Sequence, residues 1–127
     1  MDDVASLLQV NMETSDNVWD NGRWANVDEV EFDFMTRYIF EHLSWSGSLN
    51  NKTILEIGAG IGRLSYLALK AGAGAVTMVD SSVKAVALAR KFFSREEKDA
   101  FNIIQSDIFE FNSDRKYDLV FSSWVIE

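Results

Sequence analysis

Two spacings of apolar residues alternate along the chain and divide it into elements. From Val27 the apolar positions Val27, Val30, Phe34, Tyr38 and Ile39, with Met35 and Leu43 beside them, recur every three to four residues, which predicts an amphipathic helix. Asn26 and Glu29 stand where an N-cap and its capping-box partner belong, and the helix should stop near Ser44 to Gly47. Past a polar turn at Ser48 to Asn51, the short apolar run Thr53 to Ile57 predicts a strand. A helix from Ile61 to Lys70 follows, closed by Gly72. The pattern then repeats. Ala75 to Asp80 is a second buried strand, and Ser81 or Ser82 caps a helix carrying Val83, Val86, Ala87, Ala89, Arg90 and Phe93. Ser94 to Asp99 is a charged loop expected to be solvated, Phe101 to Gln105 a third strand, and Tyr117 to Trp124 a fourth.

Residues 1–26 follow neither spacing. Val4, Leu7 and Leu8 allow a short helix, whereas Asn11 to Asn26 is rich in Asn and Asp around Trp19 and Trp24. This part reads as a loop or lid, with Trp19, Arg23 and Trp24 either over a ligand or packed on the sheet.

Strands alternating with helices imply right-handed crossovers and a parallel sheet, an α/β Rossmann-like architecture with flanking helices. The chain is expected to be one domain, with residues 1–50 forming an N-terminal lid and helix and residues 51–127 a ligand-binding half. Ligands of such sheets bind at the carboxyl ends of the strands. The first strand should be central, bringing Glu56, Gly58, Gly60, Asp80, Asp107, Ser122 and Ser123 to one edge.

Composition narrows what that edge serves. The 127 residues carry 12 Lys plus Arg against 20 Asp plus Glu, a net charge of −8, which opposes a nucleic-acid partner in the absence of a basic patch. With no cysteine and the single histidine His42, thiolate metal ligands and disulfides are excluded and a zinc site is not expected. His42 itself reads as a surface or satisfied histidine. Asp2 and Asp3 open a chain without a long apolar run, so neither a signal peptide nor a membrane span is expected, and the default location is cytoplasmic.

The chemistry is concentrated in Leu55-Glu-Ile-Gly-Ala-Gly-Ile-Gly-Arg63. Glycine at 58 and 60 permits a sharp turn and lets a ligand approach the backbone. A dinucleotide fingerprint needs glycine at the sixth position of the turn, where this chain has Arg63. Glu56, two residues before the first glycine, would repel a pyrophosphate and attract a cationic sulfonium or ammonium.

Leu55-Glu56-Ile57-Gly58-Ala59-Gly60-Ile61-Gly62 resembles motif I of the class I S-adenosylmethionine-dependent methyltransferases. Asp80 matches the acid after their second strand, Ser106-Asp107-Ile108 their adenine-contacting segment, and Tyr117-Asp118-Leu119-Val120 through Glu127 their fourth-strand motif. The resemblance covers residues 53–127. It implies S-adenosyl-L-methionine as cofactor, with Gly58, Ala59 and Gly60 lining the methionine moiety, Asp80 taking the ribose hydroxyls, with Ser81 beside it, Asp107 and the Ile108 amide holding adenine, and Ser122 or Ser123 meeting the amino-acid end. Gly58 to Arg63 together with Trp124-Val125-Ile126 is also similar to the protein N-terminal methyltransferases, which implies that Arg63 pairs with the cofactor carboxylate.

The function implied is methyl transfer to a small molecule or a protein amine, with no catalytic residue identified. A non-catalytic cofactor- or partner-binding half-domain is the alternative, and an NAD-binding Rossmann protein stands third. The chain has no proline, so the Pro-containing segment of enzymes methylating DNA bases or amide nitrogens is missing. Relative to the family's seven strands the chain stops after the fourth, which predicts a fragment, a half-domain completed by a partner or second copy, or a relic. The apolar fourth strand would then be an edge prone to self-association or to pairing with a partner subunit.

Overall fold

A computed structural model of the chain describes residues 38, 40–42 and 47–122. They contain four strands, β1 (Thr53–Ile57), β2 (Ala75–Asp80), β3 (Phe101–Gln105) and β4 (Leu119–Ser122), and two principal helices, α1 (Arg63–Lys70) and α2 (Val83–Phe92). All strand pairings are parallel and the order is β3-β2-β1-β4, so β1 is interior as the sequence predicts. Ile57 pairs with Val79 on one side and Ser122 on the other, which sets the carboxyl ends of β1, β2 and β4 level.

Burial explains which apolar runs became which strands. Three consecutive residues of β1 and four of β2 are buried, as expected for interior strands covered on both faces. In β4 half-buried and exposed residues alternate, and β3 buries only Ile103, because each lies at an edge of the sheet. The core joins Ile54, Val76, Met78, Ala68, Val86, Ala89, Phe93 and Ile103. Each fully buried Ile, Val, Met or Phe contributes roughly 1.5–3 kcal/mol. Phe93 also meets the rings of Tyr66, Phe92 and Phe101 at centroid distances of 6.0, 5.4 and 5.3 Å.

Helix α1 begins at Arg63, two residues later than its apolar spacing predicts. Gly58, Gly60 and Gly62 have φ of 69°, 60° and 83°, so the chain passes three times through the left-handed region before regular helix begins. A Cβ at Gly62 would lie 2.4 Å from Met78 Sδ and 2.9 Å from Phe93 Cε2, so this glycine also sets how closely the turn packs on the sheet and α2. At the other end Gly72, with φ of 102°, closes the helix as predicted. Its amide donates to Leu69 O at 3.0 Å and that of Ala73 to Ala68 O at 3.0 Å, the paired bonds of a Schellman motif.

Strand β4 begins at Leu119, two residues later than the apolar run Tyr117 to Trp124 predicts. Asp118 lies outside it because its carboxylate Oδ2 accepts both the amide and the hydroxyl of Thr53, at 2.8 and 3.1 Å, and pins the strand's entrance to the start of β1. The loop expected to be simply solvated holds an ion pair: Glu96 Oε1 is 2.9 Å from Lys70 Nζ, which lies 5.0 Å from the centre of the Tyr66 ring. The short 3-10 turn Lys98–Ala100 follows it and leads into β3.

Of the predicted N-terminal helix, Tyr38, Phe40, Glu41 and His42 are helical. His42 is exposed, with Nδ1 2.9 Å from Tyr38 O. The expected lid with Trp19, Arg23 and Trp24 lies outside the described residues, as do Ser123 and Trp124. Among the described residues no helix is long and apolar enough to cross a membrane, and no group of acidic and histidine side chains is arranged to hold a metal.

Candidate functional site

The carboxyl ends of β1 and β2 are tied together by the turn that leaves β1. Gly58 and Ala59 donate their amides to Val79 O at 2.7 and 3.1 Å, folding the turn across the tip of β2. Gly58 has φ of 69° and, with Gly60, forms the bend that the sequence assigned to glycine. Asp80, the last residue of β2, then closes the arrangement. Its Oδ2 accepts the Gly60 amide and its Oδ1 the Ser82 amide, both at 2.8 Å. Of the two serines proposed as caps, Ser82 is the one used: its hydroxyl accepts the Ala85 amide at 3.1 Å. Ser81 is exposed, and its carbonyl accepts Gln105 Nε2 at 3.5 Å.

Asp80 therefore caps the start of α2 and fixes the glycine turn. Each carboxylate oxygen has about two lone-pair sites, so one backbone donor on each leaves acceptor capacity for hydroxyl groups. The amide of Ser106 donates to Asp80 O at 3.0 Å, which brings the end of β3 to the same place. Asp107 follows directly. Its Oδ1 accepts the Phe109 amide at 2.8 Å, and its carbonyl those of Glu110 and Phe111, forming a tight turn that leaves Ile108 and Phe109 exposed.

Glu56 does not stand beside these groups as an open acid. It is 3% exposed, and its Oε1 accepts the Ser65 amide at 3.3 Å and the Ser65 hydroxyl at 2.7 Å. Gly62, the N-cap of α1, offers no side-chain cap, so the carboxylate of the preceding strand serves the helix's first turn instead. Burial raises the Glu56 pKa from 4.5 to about 7, against the two Ser65 hydrogen bonds, which lower it. The neighbouring Asp80 carboxylate adds to the rise and the Arg63 guanidinium offsets part of it.

Gly58, Ala59, Gly60, Asp80, Ser81, Asp107 and Ile108 thus occupy consecutive strand tips and the turns leaving them, and Ser122 lies level with Ile57 at the end of β4. Arg63 opens α1, near enough to Glu56 for its charge to act on it. Ser123 lies outside the described residues. Ser65, with no exposed surface, is the participant that the sequence reading missed. Its signal was a hydroxyl on the inward stripe of a helix, between Leu64 and Ala68.

Comparison with known proteins agrees with the parallel α/β fold. Residues 27–123 match the methyltransferase small domain family. The chain is 40% identical over 74 residues to the ribosomal protein L11 methyltransferase of Thermosipho africanus, covering 58% of this chain and 28% of that protein. It is 28% identical over 108 residues to the N-terminal Xaa-Pro-Lys N-methyltransferase 1-A of Xenopus laevis, covering 83% of this chain and 48% of that one. Among solved structures, the Trypanosoma brucei PRMT1 enzyme-prozyme complex with AdoHcy superposes with a TM-score of 0.60 at 32% identity, over 71% of this chain and 29% of that one. The chain spans between about a quarter and a half of the curated relatives it matches. It belongs to the methyltransferase small domain family, within the class I S-adenosylmethionine-dependent methyltransferases.

Proposed function

We propose that this chain binds S-adenosyl-L-methionine at the carboxyl ends of β1, β2 and β3, as the donor-binding part of an enzyme that methylates a nitrogen of a protein. The observation that carries the cofactor assignment is the clamp of Asp80 on Gly60, which holds an acceptor-only side chain over the glycine turn. A vicinal diol is matched by a carboxylate whose two oxygens each retain acceptor capacity. The turn's close backbone approach suits a slender aliphatic chain, and the Asp107 turn places polar backbone and the exposed Ile108 side chain one strand further along.

Charge separates this reading from a dinucleotide. In dinucleotide folds the pyrophosphate takes the helix N-terminus after the first strand. Here the carboxylate of Glu56 already accepts the amide of Ser65 in the first turn of α1. A second anion would meet Glu56 and Asp80, whereas a positively charged ligand would be favoured by both.

Bound there, the cofactor supplies a methyl group already activated by its positive sulfur. The protein then has to hold donor and acceptor in line, which is worth effective molarities on the order of 10⁵–10⁸ M. A protein acceptor is supported by the name of the ribosomal protein L11 methyltransferase of Thermosipho africanus, and a nitrogen acceptor by that of the N-terminal Xaa-Pro-Lys N-methyltransferase 1-A of Xenopus laevis. The test is titration calorimetry of the full-length protein with S-adenosylmethionine and separately with NAD, followed by transfer of labelled methyl to protein and small-molecule acceptors. Binding of NAD alone would overturn the cofactor assignment, and transfer confined to small molecules would overturn the acceptor.

A further inference from the structure

Ser65 is completely buried, a hydroxyl set in the apolar stripe of α1 where a helix packing on a sheet ordinarily places an aliphatic residue. Its Oγ is 2.7 Å from Glu56 Oε1 and its amide nitrogen 3.3 Å from the same oxygen. One oxygen of a buried acid therefore receives two donors from one residue. Among the described residues, the charged groups acting on Glu56 from the packed elements are Arg63 of α1 and Asp80 of β2, and they pull in opposite directions. Among the described residues, what chiefly favours the ionised form of this buried carboxyl is the pair of donors from Ser65, since donors to the charged form favour it and burial opposes it.

We propose that Ser65 is a positioning residue for the methyl donor: its hydroxyl orients the Glu56 carboxyl and favours its charged form, and that charge raises the affinity for a cationic ligand at the glycine turn. The inference rests on the cofactor reading above. Without the hydroxyl, Glu56 keeps its proton to higher pH and near neutrality more often offers the ligand a neutral group. The removal of Ser65 thus acts on ligand binding through Glu56 and in a pH-dependent manner, which a loss of packing would not do.

The experiment compares wild type, Ser65→Ala and Ser65→Thr as full-length proteins, with folding checked by circular dichroism. Affinity for S-adenosylmethionine is measured by calorimetry from about pH 6 to about pH 9, a window that brackets the Glu56 midpoint of about 7. The titration of Glu56 is followed separately by carbon NMR of the free proteins. Ser65→Ala is expected to bind roughly tenfold more weakly near neutral pH, the scale of one hydrogen bond to a charged group, and to approach wild type as pH rises. The ligand's own titration is common to both proteins and cancels in the ratio. Ser65→Thr, which keeps the hydroxyl, should follow the wild-type profile, and the NMR midpoint of Glu56 should move upward only in Ser65→Ala. A loss of equal size at every pH, or an unmoved Glu56 midpoint, overturns the proposal. Wild type failing to bind S-adenosylmethionine at any pH overturns instead the cofactor reading on which it rests, whatever the NMR titration shows.

Discussion

The Gly60 amide donates to Asp80 Oδ2 over 2.8 Å, joining residues twenty apart in the chain. Gly60 can present that amide because it lies at φ of 60°, and Asp80 can receive it because β1 and β2 pair in parallel with Ile57 beside Val79. The bond makes the turn and the strand tip a single rigid unit. The second oxygen of the same carboxylate binds the Ser82 amide, so the start of α2 belongs to that unit as well.

Replacing Asp80 by alanine removes acceptors from two backbone donors and from a ligand's hydroxyls. The expected result is a loss of S-adenosylmethionine affinity of roughly 1.5–3 kcal/mol, the range for hydrogen bonds to a charged group, read by calorimetry. Asp80→Asn keeps one carbonyl oxygen and should lie between wild type and alanine. Unchanged affinity in Asp80→Ala would limit this residue to capping the turn and α2.

Gly62→Ala tests the packing of the turn on the sheet. The added methyl would meet Met78 Sδ at 2.4 Å and the Phe93 ring at 2.9 Å, in a backbone conformation of φ 83° that alanine avoids. Overpacking costs about 1–3 kcal/mol and the left-handed penalty about 1–2 kcal/mol, so destabilisation of roughly 2–5 kcal/mol is expected in urea denaturation. The flexible end of Met78 sets where in that range the value falls. A change below about 1 kcal/mol would mean that Met78 and Phe93 yield freely.

Much of this arrangement is legible in the residues. The continuous apolar runs at Thr53–Ile57 and Ala75–Asp80 mark interior strands, and the observed bounds of β1, β2 and β3 are those that the runs predict. The edge strand β4 was harder to bound, because Tyr117 and Asp118 look like strand while the Asp118 side chain takes the Thr53 amide instead. Glycines at 58 and 60 and the acid at 80 could be placed at one edge because parallel pairing brings strand ends together. The direction of the Glu56 side chain could not be read that way. An acid before a glycine turn points to a ligand by spacing alone, and only the register of α1 on the sheet shows that Ser65 meets it. The Lys70–Glu96 pair was hidden for a similar reason, since its partners lie on separate elements.

Ser82→Ala should act on stability at the start of α2. Its hydroxyl accepts the Ala85 amide at 3.1 Å, the N-cap bond of the helix, and its own amide still reaches Asp80 after the change. N-cap losses of this type cost about 0.5–2 kcal/mol, and a lowered urea midpoint with unaltered slope is expected. Cofactor affinity should change much less than in Asp80→Ala, which separates the cap from the acid that it adjoins.

Glu56 gives the protein a pH dependence of definite sign. Its carboxyl has a pKa of about 7 in the folded chain against an ordinary 4.5, chiefly because burial disfavours the charged form. Between those values the folded state holds the proton more tightly than the unfolded state, so stability falls as pH rises through the window. The penalty is absent below about pH 4.5 and complete above about pH 7, where it reaches at most about 3 kcal/mol. Glu56→Gln keeps a carbonyl oxygen for the Ser65 donors and cannot ionise. The difference in unfolding free energy between Glu56→Gln and wild type should therefore shift in favour of the variant by roughly 1–3 kcal/mol from pH 5 to pH 8, other carboxylates cancelling because both proteins share them. The same variant should bind S-adenosylmethionine more weakly, having lost the charge that the ligand meets. Urea denaturation across the pH range checks the first half and calorimetry the second; a stability difference that stays flat with pH would mean that Glu56 is ionised throughout. A gain in stability joined to a loss of affinity would identify this buried carboxylate as a group kept for binding at the expense of the fold.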